Sequence, residues 1–169
     1  MGSNISSADA REVLDAIRRI VQALRESSRA AEQGVGLSSA QLFVLHALEE
    51  SPGLSLNELA DRTHTHQSSV SAVVARLARA RLIERGTASG DARRAEIRLS
   101  PRGRATLRRA PRTAQERLVA TVGAMPPADR ARLSRMLRVV VHGMALPKRR
   151  PGMFFEDATS RKKDRRPHA

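Results

Sequence analysis

Two helix-start signals follow each other closely in the middle of the chain, and no other feature constrains the fold more. Ser38-Ser39-Ala40-Gln41 and Ser55-Leu56-Asn57-Glu58 share the capping-box spacing, in which a serine at the N-cap precedes Gln or Glu by three residues. Each box fixes a helix start, because its two side chains satisfy backbone N–H groups that the helix leaves unpaired. The sequence therefore predicts two short helices in succession, the first ending before Ser51-Pro52-Gly53.

A third helix follows after only a few residues. The second helix ends at about Arg62, since Thr63-His64-Thr65-His66 contains poor helix formers. The third runs from about Gln67 to Ala80, and its apolar positions recur at helical spacing: Val70, Val73, Val74 and Leu77. Its opposite face is mostly small and polar: Gln67, Ser68, Ser71, Ala75 and Arg79. Two short helices joined by a tight turn form a helix-turn-helix, whose second helix fits the DNA major groove.

The hydrophobic period changes from helical to alternating after this third helix. Leu82–Arg85 is predicted to be a short strand, and Ala95–Leu99 alternates as a strand with one buried face does. Gly86–Ala92 between them is rich in turn residues, so we expect a hairpin with a wide loop. Ser100-Pro101 then begins another helix, with proline in its first turn.

Long amphipathic helices are predicted on both sides of this central segment, from about Ser7 to Glu32 and from about Pro127 to Ala145. The helix that follows the hairpin should break near Arg108 to Ala110, because Pro111 removes a backbone donor. The apolar stripes of the two outer helices are Val13, Ile17, Ile20 and Leu24, and Leu133, Met136, Leu137, Val140 and Val141. Periodicity leaves two interpretations open, packing in the chain's own core and packing against a second subunit.

The charge of the chain indicates a polyanionic partner. Its 169 residues include 31 Lys and Arg against 17 Asp and Glu, a formal net charge of +14. Such an excess favours nucleic acid, or less often an anionic membrane surface. Proteins that bind single-stranded nucleic acid stack bases on aromatic side chains, and this chain has only three, all Phe. Duplex DNA is therefore the expected partner, and no membrane association is expected.

Several classes of chemistry are excluded or disfavoured. The chain has no cysteine, which excludes disulfides, thiolate metal sites and thiol-based redox sensing. It contains no nucleophile–base set, no framed carboxylate pair and no phosphate-cradling glycine loop, so we expect neither an enzyme nor a cofactor. His64 and His66 have a spacing that binds metals, but without a third ligand a turn or capping role is favoured. No metal site is expected.

The start of the third helix carries the predicted contacts to DNA bases. A helix inserted into the groove needs small or polar residues there, and Gln bonds adenine while Ser bonds bases or phosphates. The predicted contacts are His66, Gln67, Ser68, Ser69, Ser71 and, further along, Arg76. The alternative interpretation makes the serines capping and solvated residues, and it pairs Arg76 with acidic side chains of its own domain.

The ordered set of motifs resembles the MarR family of bacterial transcription regulators over roughly residues 8–145. The motifs are Leu59-Ala60-Asp61-Arg62, Gln67-Ser68-Ser69-Val70-Ser71, Leu77, Leu82-Ile83-Glu84-Arg85, Asp91-Ala92-Arg93-Arg94 and Leu99-Ser100-Pro101-Arg102-Gly103. The resemblance implies a mainly α fold with a small β-hairpin wing, a winged helix-turn-helix flanked by dimerisation helices. It also implies a bacterial cytoplasmic, nucleoid-associated protein that binds a pseudo-palindromic operator as a homodimer.

The resemblance further implies roles for individual residues. Asp91 and Arg93 match an Asp-x-Arg motif at the wing, where the arginine reaches the minor groove. Arg94 beside it is a further predicted DNA contact, and the alternative makes both arginines solvated charges of the wing. Small aromatic or phenolic effectors bind near the helix that contains His46, although a histidine that is exposed or hydrogen-bonded within the protein remains the alternative there. The dimerisation residues are Ile17, Leu24, Leu118, Leu133, Leu137 and Val140.

The expected organisation has four parts. Residues 1–36 form an N-terminal dimerisation helix, 37–100 the DNA-binding lobe, 101–146 the C-terminal dimerisation helices, and 147–169 a basic, mostly disordered tail. The expected function is a sequence-specific repressor of transcription, with a small ligand as a possible modulator. The alternative is a non-specific architectural DNA-binding protein, which the charge of +14 would also suit.

Overall fold

Helices make up most of the computed structural model, which describes residues 7–88, 91–146 and 152–154. A single two-stranded antiparallel sheet interrupts the helices within these residues. The elements in chain order are α1 (Ser7–Val35), α2 (Ser39–Glu50), α3 (Leu56–Arg62), α4 (Gln67–Arg79), β1 (Ile83–Ala88), β2 (Asp91–Leu99), α5 (Pro101–Leu107), α6 (Ala114–Ala124) and α7 (Pro127–Gly143). The predicted mainly α fold with a β-hairpin wing is confirmed.

Capping boxes start three of the helices. The Ser38 amide donates to Gln41 Oε1 over 2.9 Å and the Ser55 amide donates to Glu58 over 2.8 Å, as the sequence predicts. The predicted break at Pro111 is confirmed as well, because α5 ends at Leu107 and a new helix begins at Ala114. Thr113 caps that new helix in a third capping box with Glu116, which the sequence prediction missed.

The core lies between the short helices and the base of the wing. Leu42 and Leu45 of α2 and Val70 and Leu77 of α4 are fully buried there. The wing is attached to this core by its second strand, since the Ile97 amide donates to the Leu54 carbonyl over 2.8 Å. The segment after α2 thus adds a single bridge to the edge of the hairpin.

The hairpin is longer and its loop shorter than predicted. The strands extend to Ala88 and from Asp91, so the expected wide loop over Gly86–Ala92 is wrong. Gly86 pairs with Glu96 and Thr87 with Ala95, and the register becomes irregular only after Thr87. Backbone pairing in a ribbon of two strands does not require apolar side chains, so the polar composition concealed this part of the ladder.

The outer helices leave large apolar side chains exposed. No residue of α7 is buried, and Leu137 and Val140 are 48% and 44% exposed. Ile17 of α1 is 37% exposed, with Val13, Leu14, Ile20 and Val21 exposed beside it. Leu24 differs, because it is already buried within its own chain and has almost no surface for a partner. It is a core residue and leaves the set of predicted dimer contacts.

Only a short piece of the predicted tail belongs to the described residues. Met153 is buried there and joins the core, which the expectation of a disordered tail did not anticipate. The basic runs at 148–150 and 161–166 lie outside the described residues. None of the helices that the structure describes is long and apolar enough to cross a membrane.

Gly103 permits the closest contact between α5 and the wing. A Cβ atom at this position would lie 2.0 Å from the carbonyl oxygen of Leu82, which is backbone and cannot rotate away. Gly103→Ala should therefore lower the free energy of unfolding by about 2–3 kcal/mol, in the range of overpacked core substitutions. Chemical denaturation at fixed protein concentration measures this change.

Gly34→Ala is the matched control, because no atom lies within 4 Å of a Cβ at that position in α1. Alanine favours a helix over glycine, so this variant should be as stable as the parent protein or slightly more stable. Equal stability of the two variants would contradict the close approach of α5 to β1.

Candidate nucleic-acid interface

The turn between α3 and α4 is closed by hydrogen bonds to the end of α3. The Thr63 hydroxyl is buried and donates to the Leu59 carbonyl over 2.8 Å. The Thr65 amide donates to the Ala60 carbonyl over 3.0 Å. His64 has a positive φ of 50°, which reverses the chain direction within the turn. The turn fixes where α4 begins and which side of it faces the core.

One side of α4 is buried and its start faces outward. Val70, Val73, Val74 and Leu77 pack in the core. His66, Gln67 and Ser68 are exposed and Ser71 is half-buried, as a helix that enters a groove requires. Ser69 is different, because it lies along the apolar stripe and is only 9% exposed. Ser69 is therefore better placed as a core-facing residue than as the DNA contact predicted from the sequence.

The remaining predicted contacts lie further along α4 and on the wing. Arg76 lies in the last part of α4, where its side chain is half-buried and already has an interaction within the protein. Asp91, Arg93 and Arg94 belong to β2, so their backbone is on the wing, but their side chains lie outside the described residues.

An outward-facing helix start, held by two capped helices and followed by a β-hairpin, defines a winged helix-turn-helix protein that binds DNA. Residues 35–94 match the model of the MarR family. Over this segment the chain is similar to the MarR family, as its motifs indicated. This similarity supports a transcription regulator that binds DNA.

Solved structures show the same fold over most of the chain. Sco3205, a MarR family regulator from Streptomyces coelicolor solved in complex with DNA, is 24% identical with a TM-score of 0.55, over 84% of this chain and 91% of that one. BpsR from Bordetella bronchiseptica, whose DNA binding is regulated by 6-hydroxynicotinic acid, is 25% identical with a TM-score of 0.53, over 83% and 98%. A probable transcriptional regulator from Pseudomonas aeruginosa is 27% identical with a TM-score of 0.50, over 74% and 93%. No sequence among the curated proteins matches the chain.

A cavity of about 400 Å³ lies between α2 and α6. His46 lines it and is only 5% exposed. His46 Nε2 lies 3.7 Å from Glu116 Oε1, beyond hydrogen-bonding distance, and neither atom has a hydrogen-bond partner among the described residues. His46 is therefore buried and not exposed, and its role as a ligand contact stays a prediction. The cavity contains buried polar atoms that a bound molecule would satisfy.

Burial shifts the titration of both cavity side chains. It lowers the pKa of His46, with the nearby charge of Arg112 acting in the same direction and the Pro111 backbone, Glu49 and Glu50 partly offsetting it. Burial raises the pKa of Glu116 to about 7, although the Thr113 amide and Arg112 oppose that rise. Both effects favour the uncharged forms, the neutral imidazole of His46 and the protonated carboxyl of Glu116.

Sequence reasoning missed the acidic and basic members of this cavity. Glu116 had one available signal, the spacing Thr113-Ala114-Gln115-Glu116 after Pro111, which is that of a capping box. Arg112 and Glu50 had none, because they are distant in sequence and their pairing depends on the fold. The described residues contain no cluster of three or more side chains able to hold a metal ion.

Glu116→Gln should stabilise the protein in alkaline solution. The folded protein resists ionisation of Glu116, so its stability falls as pH rises from the ordinary pKa of 4.5 towards about 7 and stays reduced above that. Gln keeps the bond to the Thr113 amide and removes this penalty, which amounts to at most about 3 kcal/mol at pH 8 and vanishes near pH 4. Urea unfolding at pH 5, 6.5 and 8 measures the difference.

Glu49→Gln controls for the loss of a negative charge beside His46, since the Glu49 carboxylate is exposed and lies 3.8 Å from the other imidazole nitrogen. It should not reproduce the pH-dependent gain. A stability difference between Glu116→Gln and the parent protein that stays constant from pH 5 to pH 8 would refute the raised pKa.

Proposed function

We propose that the chain is a repressor that binds a pseudo-palindromic operator as a homodimer, and that a small ligand modulates this binding. The observation that carries the proposal is the exposed apolar face of α1 and α7. Repression would follow from occupancy, because a dimer covering about one helical turn or more of a promoter blocks access to it. Such a protein acts on the bacterial nucleoid, inside the cytoplasm.

The outer helices support the dimer. A helix of 17 residues with none buried is marginal in water on its own, since most helix stability in proteins comes from packing. A contiguous exposed apolar surface of this kind marks an interaction site. The proposed interface contains Ile17, Leu118, Leu133, Leu137 and Val140. With this interface we propose four parts for the chain. Residues 1–36 and 101–146 form the dimerisation helices, 37–100 the DNA-binding lobe between them, and 147–169 the tail.

Two-fold symmetry then sets the form of the DNA site. Each subunit presents one α4, so the two helices would enter successive major grooves about one helical turn apart. The proposed contacts in each half-site are His66, Gln67, Ser68, Ser71 and Arg76, with Asp91, Arg93 and Arg94 at the wing.

The cavity between α2 and α6 supports the proposed ligand site. It lies where the DNA-binding lobe meets the helices that follow it, and His46 and Glu116 leave polar atoms there without partners. A small aromatic or phenolic molecule would satisfy these atoms, and BpsR, which has the same fold, is regulated by 6-hydroxynicotinic acid. A ligand in this place contacts both the lobe and α6, so its binding is able to change their relative position.

Leu137→Glu should disrupt the dimer. It places a charge in the exposed apolar stripe of α7, where burial against a partner would leave it unpaired. Sedimentation velocity is expected to show a dimer for the parent protein and a monomer for the variant. Arg135→Glu, on the opposite side of α7, should remain dimeric. A dimeric Leu137→Glu protein would exclude α7 from the interface.

The operator is tested by selecting duplexes from a random pool and measuring their affinity by fluorescence anisotropy near physiological salt. The selected sequence should be a pseudo-palindrome, bound about 10³-fold more tightly than a scrambled duplex. Equal affinity for both duplexes would favour the architectural alternative.

Gln67→Ala should weaken binding to the selected duplex by about 5- to 150-fold, the usual value of one bidentate base contact, and relax selection at one base position. Gln33→Ala, an exposed glutamine of α1, should change neither. A Gln67→Ala protein with unchanged selectivity would remove Gln67 from the set of base contacts.

A further inference from the structure

One carboxylate at the end of α2 is shared by two arginines from different parts of the fold. Glu50 Oε2 accepts a hydrogen bond from Arg62 Nη2 over 3.0 Å. Its other oxygen, Oε1, accepts from Arg112 Nη1 over 2.8 Å. Because the arginines use different oxygens, both ion pairs exist at once. The Arg112 bond, followed by that of Arg62, lowers the pKa of Glu50, so the carboxylate stays ionised in more acidic solution than an isolated glutamate does.

The two arginines belong to segments with different tasks. Arg62 is the last residue of α3, directly before the turn that leads into α4. Arg112 lies in the connection between α5 and α6 and directly precedes Thr113, the N-cap of α6. Glu50 therefore links the end of the first helix of the helix-turn-helix to the start of α6.

We propose that Glu50 is a positioning residue for DNA recognition, which fixes α3, and with it α4, relative to α6 by binding Arg62 and Arg112 together. The inference rests on the proposed function, since α6 belongs to the part of the chain that joins the subunits. The two α4 helices of a dimer fit successive major grooves only if each keeps a fixed position relative to the part of the chain that joins the subunits. The Glu50 clamp (Glu50 with Arg62 and Arg112) supplies one such constraint.

The clamp acts on position more than on stability. The Glu50, Arg62 and Arg112 side chains are 44%, 43% and 57% exposed. Ion pairs with this exposure contribute little to the free energy of folding, so a variant of Glu50 should fold normally. Its effect should be found instead in the selectivity for a spaced pair of half-sites.

Glu50→Gln distinguishes loss of the clamp from simple loss of charge, because the two predict opposite changes in affinity for the selected duplex. Removing a negative charge strengthens the attraction of a protein to DNA phosphates, so electrostatics alone predicts tighter binding to every duplex. Loss of the clamp predicts weaker binding to the selected duplex and no loss on the scrambled one. Glu49→Gln removes the same charge one residue away, from a side chain that is 49% exposed, and serves as the matched control.

The experiment measures anisotropy for the full chain and its variants on both duplexes at one salt concentration. We expect Glu50→Gln to bind the selected duplex at least 5-fold more weakly, with scrambled-duplex affinity unchanged or slightly higher, and Glu49→Gln to keep the parent selectivity. Arg112→Gln should lose selectivity similarly, and the double variant Glu50→Gln/Arg112→Gln should lose no more than either single variant. Equal selectivity of Glu50→Gln and Glu49→Gln would overturn the clamp.

If the parent protein itself prefers no duplex, the proposed function fails and hydrogen exchange decides the clamp separately. The amides of Thr63, His64 and Thr65 donate to carbonyls of α3, next to Arg62. Their exchange should be several-fold faster in Glu50→Gln than in Glu49→Gln, because the end of α3 loses its tether. Identical exchange rates in the two variants would then overturn the inference.

Discussion

The burial of α2 is the constraint on which the rest of the structure depends. Ten of its twelve residues are buried, and it contacts α1, α3, α4, α5, α6 and β2. Each fully buried leucine of this helix contributes about 2 kcal/mol through the removal of apolar surface from water. Because α4 packs its apolar side on α2, its polar start must face outward, and the wing is held beside it by the same helix.

The central position of α2 also explains where the polar irregularities occur. A helix enclosed on nearly every side brings His46 into the interior, opposite Glu116. Both imidazole nitrogens and Glu116 Oε1 lack a hydrogen-bond partner among the described residues, whereas Glu116 Oε2 accepts from the Thr113 amide. Unpaired polar groups of this kind lower stability, and these lie where α2 meets α6. The end of the same helix supplies Glu50. The contact between α2 and α6 therefore contains polar groups beside apolar ones such as Phe43 and Val119.

Local signals predicted the helices well, whereas interactions between distant segments were not accessible from the sequence. The caps at Ser38 and Ser55 and the break at Pro111 depend on neighbouring residues, and all three are found. Ile17 and Leu24 belong to one apolar stripe, but one is exposed and the other buried, and periodicity does not distinguish them. Glu50 and Arg112 are 62 residues apart, so no spacing rule connects them. The exposed start of α4 was predicted except for Ser69, which lies at the edge of the buried stripe.

Charge and geometry have separate tasks in this protein. A net charge of +14 attracts any duplex, since counterion release depends on phosphates and not on bases. Discrimination between sequences would then come from base contacts at the start of α4, and these depend on where α4 is held. Its apolar side is anchored by the core, a strong but non-directional interaction. Its connection to α6 includes the hydrogen-bonded ion pairs of the Glu50 clamp, which are weak but depend on position. If the Glu50 clamp acts as proposed, a small change in those pairs alters selectivity while leaving both the fold and the general attraction to DNA intact.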